Sequence, residues 1–379
     1  RDVRRPVSDE EAAGAPLVDW AFADRVARWA AGRTAVPTAY RPAAMQRDFD
    51  EMTERAERLV AEATGLSPGT PARGRVIDRP AWVSANISSF QRLLGPTLSR
   101  LAERKPNSPL ASMPPVIGRR LAGMSRSLNG TELALVLAWM STRVLGQYDL
   151  FLADGVDEEH QDIVYFVGPN VAGIEARHGF DPTEFRLWLA LHEVTHRAQF
   201  MAVPWLRSYF VSQVEQGLEP IGSDPRKLID AVWRAAQEIR AGRSPLGDVG
   251  VVGLIATDEQ LVALKRIQAL MSLLEGHGDV TMDRAGADAV PGAERFSAVL
   301  KERREQAKGP ARLLQQVLGL EAKFRQYAEG ERFVRSVEEA GGRRLFDRVW
   351  QGPEWLPSLA EIRDPATWVR RVSPNALAG

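Results

Sequence analysis

The chain has 379 residues, 44% of them apolar and 26% charged, the balance of an ordinary globular protein with enough length for two or three packed units or one large one. Its 49 basic and 49 acidic side chains cancel, which removes any general attraction to nucleic acid or an anionic membrane surface. With no cysteine, disulfides, thiolate metal ligands and thiol nucleophiles are all excluded.

The opening "RDVRRPVSDEEAAGAP" lacks the apolar stretch of a signal peptide, and the longest apolar run, Leu133 to Met140, is far too short to span a bilayer. No membrane association and a cytoplasmic location are the expectation. Apolar residues recurring at three and four predict helices over 18–31, 42–65, 80–104 and 130–149, an N-terminal helical region of about 1–150. Strand signal is scarce. The best stretch is Ile163 to Val167, β-branched and aromatic, ended by Gly168 and Pro169. Helices follow over 182–202, 205–218, 225–241 and 258–283, so 151–290 reads as a catalytic core. A C-terminal region, 291–379, holds helices over 293–307 and 311–340, then an irregular tail with short helical turns after Gly342. Pro- and Gly-rich stretches at 66–74, 105–115, 242–250 and 289–293 separate them. The fold class is therefore mainly α, in the α+β sense, with many packed helices and a small strand element. His160, in the acidic stretch 153–162, reads as a solvated loop residue, and His178 beside Gly179 as a helix end.

Two of the five histidines lie in "LALHEVTHRAQF", Leu189 to Phe200. Asp181 is a good N-cap, Pro182 suits the first helical position, and Glu184 can close a capping box. Spacing of four puts His192 and His196 on one face, one turn apart, continuing the stripe of Phe185 and Leu189. Two imidazoles at about 2.0–2.1 Å fill half a tetrahedral zinc shell, leaving room for a third ligand and a water. Glu193 is placed to take a proton from that water as general base. The metal lowers the water's pKa to about 7, within reach of a carboxylate. Arg197, directly after the second histidine, is a departure, since that position is usually uncharged in such motifs.

Nothing in "RAQFMAVPW" supplies a third ligand, and Ala202 stands where an elongated motif needs a histidine. The candidate lies in "LLEGHGDVTMD", 273–283, on a helix that Thr257 and Gln260 can start with a capping box. Glu275-Gly-His-Gly-Asp279 resembles the second motif of the gluzincins. That resemblance implies Glu275 as third ligand and Asp279 as the partner that orients His192. Gly276 and Gly278, costly within a helix, make sense if it passes very close to the histidine helix. His277 is the alternative third ligand, or a group facing substrate. Tyr165, Tyr209, Tyr327, His277 and Arg197 are all eligible to stabilise an oxyanion.

The motif pair, set in a helix-rich chain of this length, resembles an uncharacterised zincin-like family common in actinobacteria. That family is often labelled a hydrolase or a deazaflavin-coenzyme-biosynthesis-associated protein. The resemblance implies a zincin-like metallohydrolase fold with zinc as cofactor; the substrate is not set by the family, and a peptide or amide is the default for this constellation of residues. By analogy with zincins, strand 162–167 is the edge along which an extended substrate lies. A deacylase acting on a small metabolite, and a metal-bearing interaction protein without activity, stay open as alternatives. The sequence sets no oligomeric state.

Overall fold

The computed structural model describes residues 18–103, 130–131, 133–149, 162–217, 257–305 and 320–373. Helix α1 (Trp20–Gly32) is capped by Asp19, whose side chain accepts the Phe22 N–H. Helix α2 (Pro42–Thr64) opens on its proline and stops at Gly65, which is left-handed at φ 67°. Strand β1 (Arg73–Ile77), helix α3 (Arg79–Glu103) and helix α4 (133–141) lead to strand β2 (Gly146–Tyr148). The expected helix 130–149 thus ends early and gives way to a strand. Strand β3 (Ile163–Val167) passes straight into α5 (Gly168–His178), which Gly168 and Pro169 start as well as ending the strand. The histidine helix α6 (Pro182–Ala202) and α7 (Leu206–Gly217) follow, then α8 (Asp258–Gly286), α9 (Ala293–Glu305) and α10 (Leu320–Phe346). Two 3-10 turns, Asp347–Trp350 and Pro353–Trp355, and the short helices α11 (Leu359–Arg363) and α12 (Pro365–Val372) complete the tail. The expected helix 225–241 and His160 lie outside the described residues. Among the described residues, no helix is long and apolar enough to cross a membrane.

The three strands form one sheet in the order β1-β3-β2, with β1 parallel and β2 antiparallel to β3. Strand 162–167 is therefore central, not the expected edge, and all five residues Ile163–Val167 are buried. Its uninterrupted apolar run is what a strand covered on both faces requires. Val164 and Phe166 face the core shared by α2 and α6, where Phe166 stacks on Phe49 at 3.8 Å between ring centroids. Ile163 and Tyr165 face the other way, against Ile77 and Ala85. The outer edge of β1 is closed by a side chain. Gln46 donates to the Gly74 carbonyl at 2.9 Å and accepts the Val76 N–H at 2.8 Å, in place of another strand.

Two apolar cores meet at the site. The first joins α2, the sheet, α6 and α9 through Phe49, Phe166, Phe185, Leu189 and Phe296. The second joins α8, α10 and the tail through Leu273, Val280, Phe333, Val337 and Trp368. Helix α8 packs against both α6 and α10. The glycines explain how it fits. A Cβ on Gly276 would lie 2.1 Å from the Gly330 carbonyl carbon, and one on Gly330 would lie 1.9 Å from the Ser272 oxygen. Gly276 therefore serves the crossing with α10, not the expected approach to the histidine helix. Gly278 does face that helix, with ordinary room of 3.6 Å to His196 Cε1.

Candidate metal centre

Helix α6 is aimed by its first turn. Gly179, left-handed at φ 59°, ends α5 after His178, and Phe180 packs against Phe185 and Phe296. Asp181 accepts the Glu184 N–H at 3.0 Å, and Pro182 presets the first helical residue. Glu184 does not close the expected capping box here. Its carboxylate accepts the Gly292 N–H at 2.8 Å, pinning α6 to the turn before α9. Helix α8 does begin with the expected box, reciprocal between Thr257 and Gln260.

These two helices bring His192, His196 and Glu275 together. The two Nε2 atoms are 3.2 Å apart, and Glu275 Oε2 lies 4.0 Å from His192 Nε2 and 3.8 Å from His196 Nε2. A point equidistant from the three atoms is about 2.1 Å from each, the length of a zinc–imidazole bond. The protonation pattern fits an ion as well. His192 Nδ1 is 3.3 Å from the Met282 thioether, and His196 Nδ1 is 3.0 Å from Gln199 Oε1. Both partners accept, so a ring with its proton on Nδ1 can donate to them and present Nε2 to the other ring. One carboxylate and two imidazoles form a donor set that suits zinc.

Glu193 is buried beside this triad. Its Oε2 accepts the Tyr148 N–H from β2 at 3.1 Å, while a Cβ on Gly146 would come within 2.7 Å of its Oε1. Burial pushes its carboxyl up to about 7, with Glu275 adding to the rise and His196 and the Tyr148 N–H opposing it. The strand at the site is thus β2, a three-residue edge that the sequence reading took for the end of a helix.

The other candidates lie elsewhere. His277 is not with the triad's donor atoms. It is buried, stacks on Phe346 at 5.4 Å and meets Trp350 edge-on at 5.2 Å. Burial, above all, pushes its basicity down to about 3, and the Arg284 and Arg343 charges add to the fall, so it is neutral. Its Nδ1 is 2.9 Å from Gln199 Nε2. Tyr165 is on the sheet face turned away from α6. Tyr209 lines a separate groove of about 480 Å³ with Leu270, Leu356 and Arg371. The Tyr327 side chain lies outside the described residues. Asp279 stands half-buried one turn beyond Glu275 on the same helix.

Arg197 is fully buried and makes a structural clamp. It donates to both oxygens of Asp162 at 2.8 and 2.6 Å, to Glu57 at 2.9 Å and to the Thr70 carbonyl at 2.7 Å. It ties α6 to α2 and to the entry of β3, where Asp162 has φ 54°. Its charge after the motif is therefore directed away from the oxyanion position. Gln199, three residues past His196, is the contact that sequence reasoning missed. The available signal was a polar residue on the same buried helical face as the second histidine.

A search of curated proteins found no match. The chain is similar to a crystallised protein from Chloroflexus aurantiacus described as a "putative hydrolase with a novel fold", at 30% identity and TM-score 0.65. The match covers 93% of this chain and 98% of that one. A family model described as zincin-like metallopeptidase matches residues 18–369. With nearly the whole chain inside that match and the candidate donors of both motifs brought together, this chain belongs to the zincin-like metallopeptidases.

Proposed function

We propose that the protein is a zinc-dependent peptidase in which Glu193 is the general base. The observation that carries this reading is the convergence of three donor atoms, spaced for one zinc ion, beside a buried carboxylate held near neutrality. His192, His196 and Glu275 would hold the ion, which supplies a water acidified to about pKa 7 and a Lewis acid for the carbonyl. Glu193 takes the water's proton and passes it to the leaving amine. The Tyr148 N–H fixes Oε2, which leaves Oε1, beneath Gly146, for the transfer. An extended peptide is favoured as substrate because β2 lies beside this carboxylate. Among the described residues, β2 has a strand partner on one side only, and it presents a residue without a side chain at Gly146.

The test combines metal analysis of the purified protein with cleavage of a peptide library. The wild type is expected to hold one zinc and to cleave. His196→Ala and Glu275→Ala are expected to lose the metal, and Glu193→Gln to keep it while losing cleavage. Cleavage that survives in Glu193→Gln removes the assigned base, and full zinc affinity in Glu275→Ala removes the assigned third ligand.

A further inference from the structure

Resting on that zinc reading, we propose that Gln199 is a positioning residue of the site. Its amide is locked by Leu274 and His277 so that its oxygen holds His196 in the Nδ1–H form with Nε2 facing the metal.

The orientation of this amide follows from its partners. Gln199 is fully buried, so every polar atom of its side chain needs a partner inside the protein. One terminal atom lies 2.9 Å from the Leu274 carbonyl, which can only accept, so that atom is the NH2. Its second hydrogen faces His277 Nδ1 at 2.9 Å, which must therefore carry a lone pair and leave the ring proton on Nε2. The remaining atom, Oε1, faces His196 Nδ1 at 3.0 Å and can only accept from it. The chain His196–Gln199–His277 thus has one self-consistent arrangement of protons.

The same amide fixes distance as well as tautomer. Leu274 immediately precedes Glu275, so Gln199 reaches from one ligand helix to the backbone of the other, next to the third donor. The cage around His277 keeps the arrangement from reversing. Phe346 and Trp350 pack against its ring. A protonated His277 would need an acceptor where Gln199 offers a donor. In many metal sites a carboxylate or a backbone carbonyl orients the ligating ring. Here a neutral amide performs this task, and the donor set keeps a single negative charge, that of Glu275.

The experiment measures zinc affinity by chelator competition for the wild type, Gln199→Met and Gln199→Glu, with the melting temperature of each metal-free protein alongside. Met keeps the length of the side chain and removes the acceptor, and about a 10–100-fold loss of zinc affinity is expected. Glu keeps an oxygen against His196 and is expected to bind zinc at least as tightly as wild type, even where its metal-free form melts lower. Unchanged affinity in Gln199→Met, or equal losses in both variants, overturns the proposal. A wild type that binds no zinc overturns the metal-centre reading, and this inference with it. A second measurement needs no substitution at Gln199. Nitrogen-15 ring spectra of the zinc-loaded wild type are expected to show His196 protonated on Nδ1 and His277 on Nε2. A His277 proton on Nδ1 overturns the proposal independently of any variant's stability.

Discussion

Glu193 carries a free-energy cost that a surface glutamate does not. Its carboxyl sits near 7 in the folded metal-free chain against an ordinary 4.5, mainly because it is buried. Between those two values the unfolded chain releases its proton while the folded chain keeps it, so stability falls as pH rises through that window. Above pH 7 the full cost, on the order of 3 kcal/mol, is present. Glu193→Gln removes the charge at almost the same volume. In the metal-free protein it is expected to raise the unfolding free energy by about that amount at pH 8, with the gain vanishing near pH 4.5. Chemical denaturation at the two pH values measures this directly, and an equal gain at both would assign the effect to packing instead. Arg197 is the opposite case. Its charge is fully buried and met by two carboxylates and a carbonyl, so loss of a partner would leave an uncompensated buried charge, and the cluster fixes the placement of α6.

At the level of elements, the position of α8 decides whether the ligands meet, and two glycines on it behave differently. Gly276 touches the α10 backbone so closely that an added methyl meets main-chain atoms, which cannot rotate away. Gly276→Ala is expected to destabilise by about 2–4 kcal/mol, in the range of severe overpacking. Gly278→Ala has ordinary space and gains up to about 1 kcal/mol of helix propensity, so it is expected to be neutral or stabilising. Urea midpoints of the two variants test the difference, and a Gly276→Ala protein as stable as Gly278→Ala would contradict the α8–α10 crossing. The same pair marks the limit of what sequence revealed. A glycine in a helical run signals a close approach but does not name the neighbour, so Gly276 was assigned to the wrong helix. That the two histidines share a face was legible because helical spacing alone fixes it, whereas Glu275 was singled out by the resemblance of its motif to that of the gluzincins. β1 and β2, five and three residues long, are too short to display a period of two, and β2 follows a helical run with no proline or glycine before Gly146. Gln199 was overlooked because a polar residue one turn past a ligand is equally at home on a solvated face.

For the whole molecule, the donor triad spans two cores. His192 and His196 project from a helix whose apolar stripe belongs to the α2–sheet–α9 core, and Glu275 from a helix whose Leu273 and Val280 belong to the α10–tail core. An ion bound there joins the two only in the folded chain, because the unfolded chain does not hold the three donors within one coordination shell. Binding to the folded state alone stabilises it by RT ln(1 + [Zn]/Kd), about 2.7 kcal/mol when free zinc is a hundred times Kd. In a chain of this size that corresponds to a melting-temperature rise of a few degrees. Chelation is therefore expected to lower the melting temperature of the wild type, and added zinc to restore it in proportion to the logarithm of its free concentration. Glu275→Ala and His196→Ala are expected to melt at the same temperature with and without chelator, since each leaves too few donors to hold the ion. Glu193→Gln should respond to zinc as the wild type does, because it removes the proposed base and keeps all three candidate donors. A chelator response that persists in Glu275→Ala would mean that the two cores are joined by some other ligand and that α8 does not complete the shell.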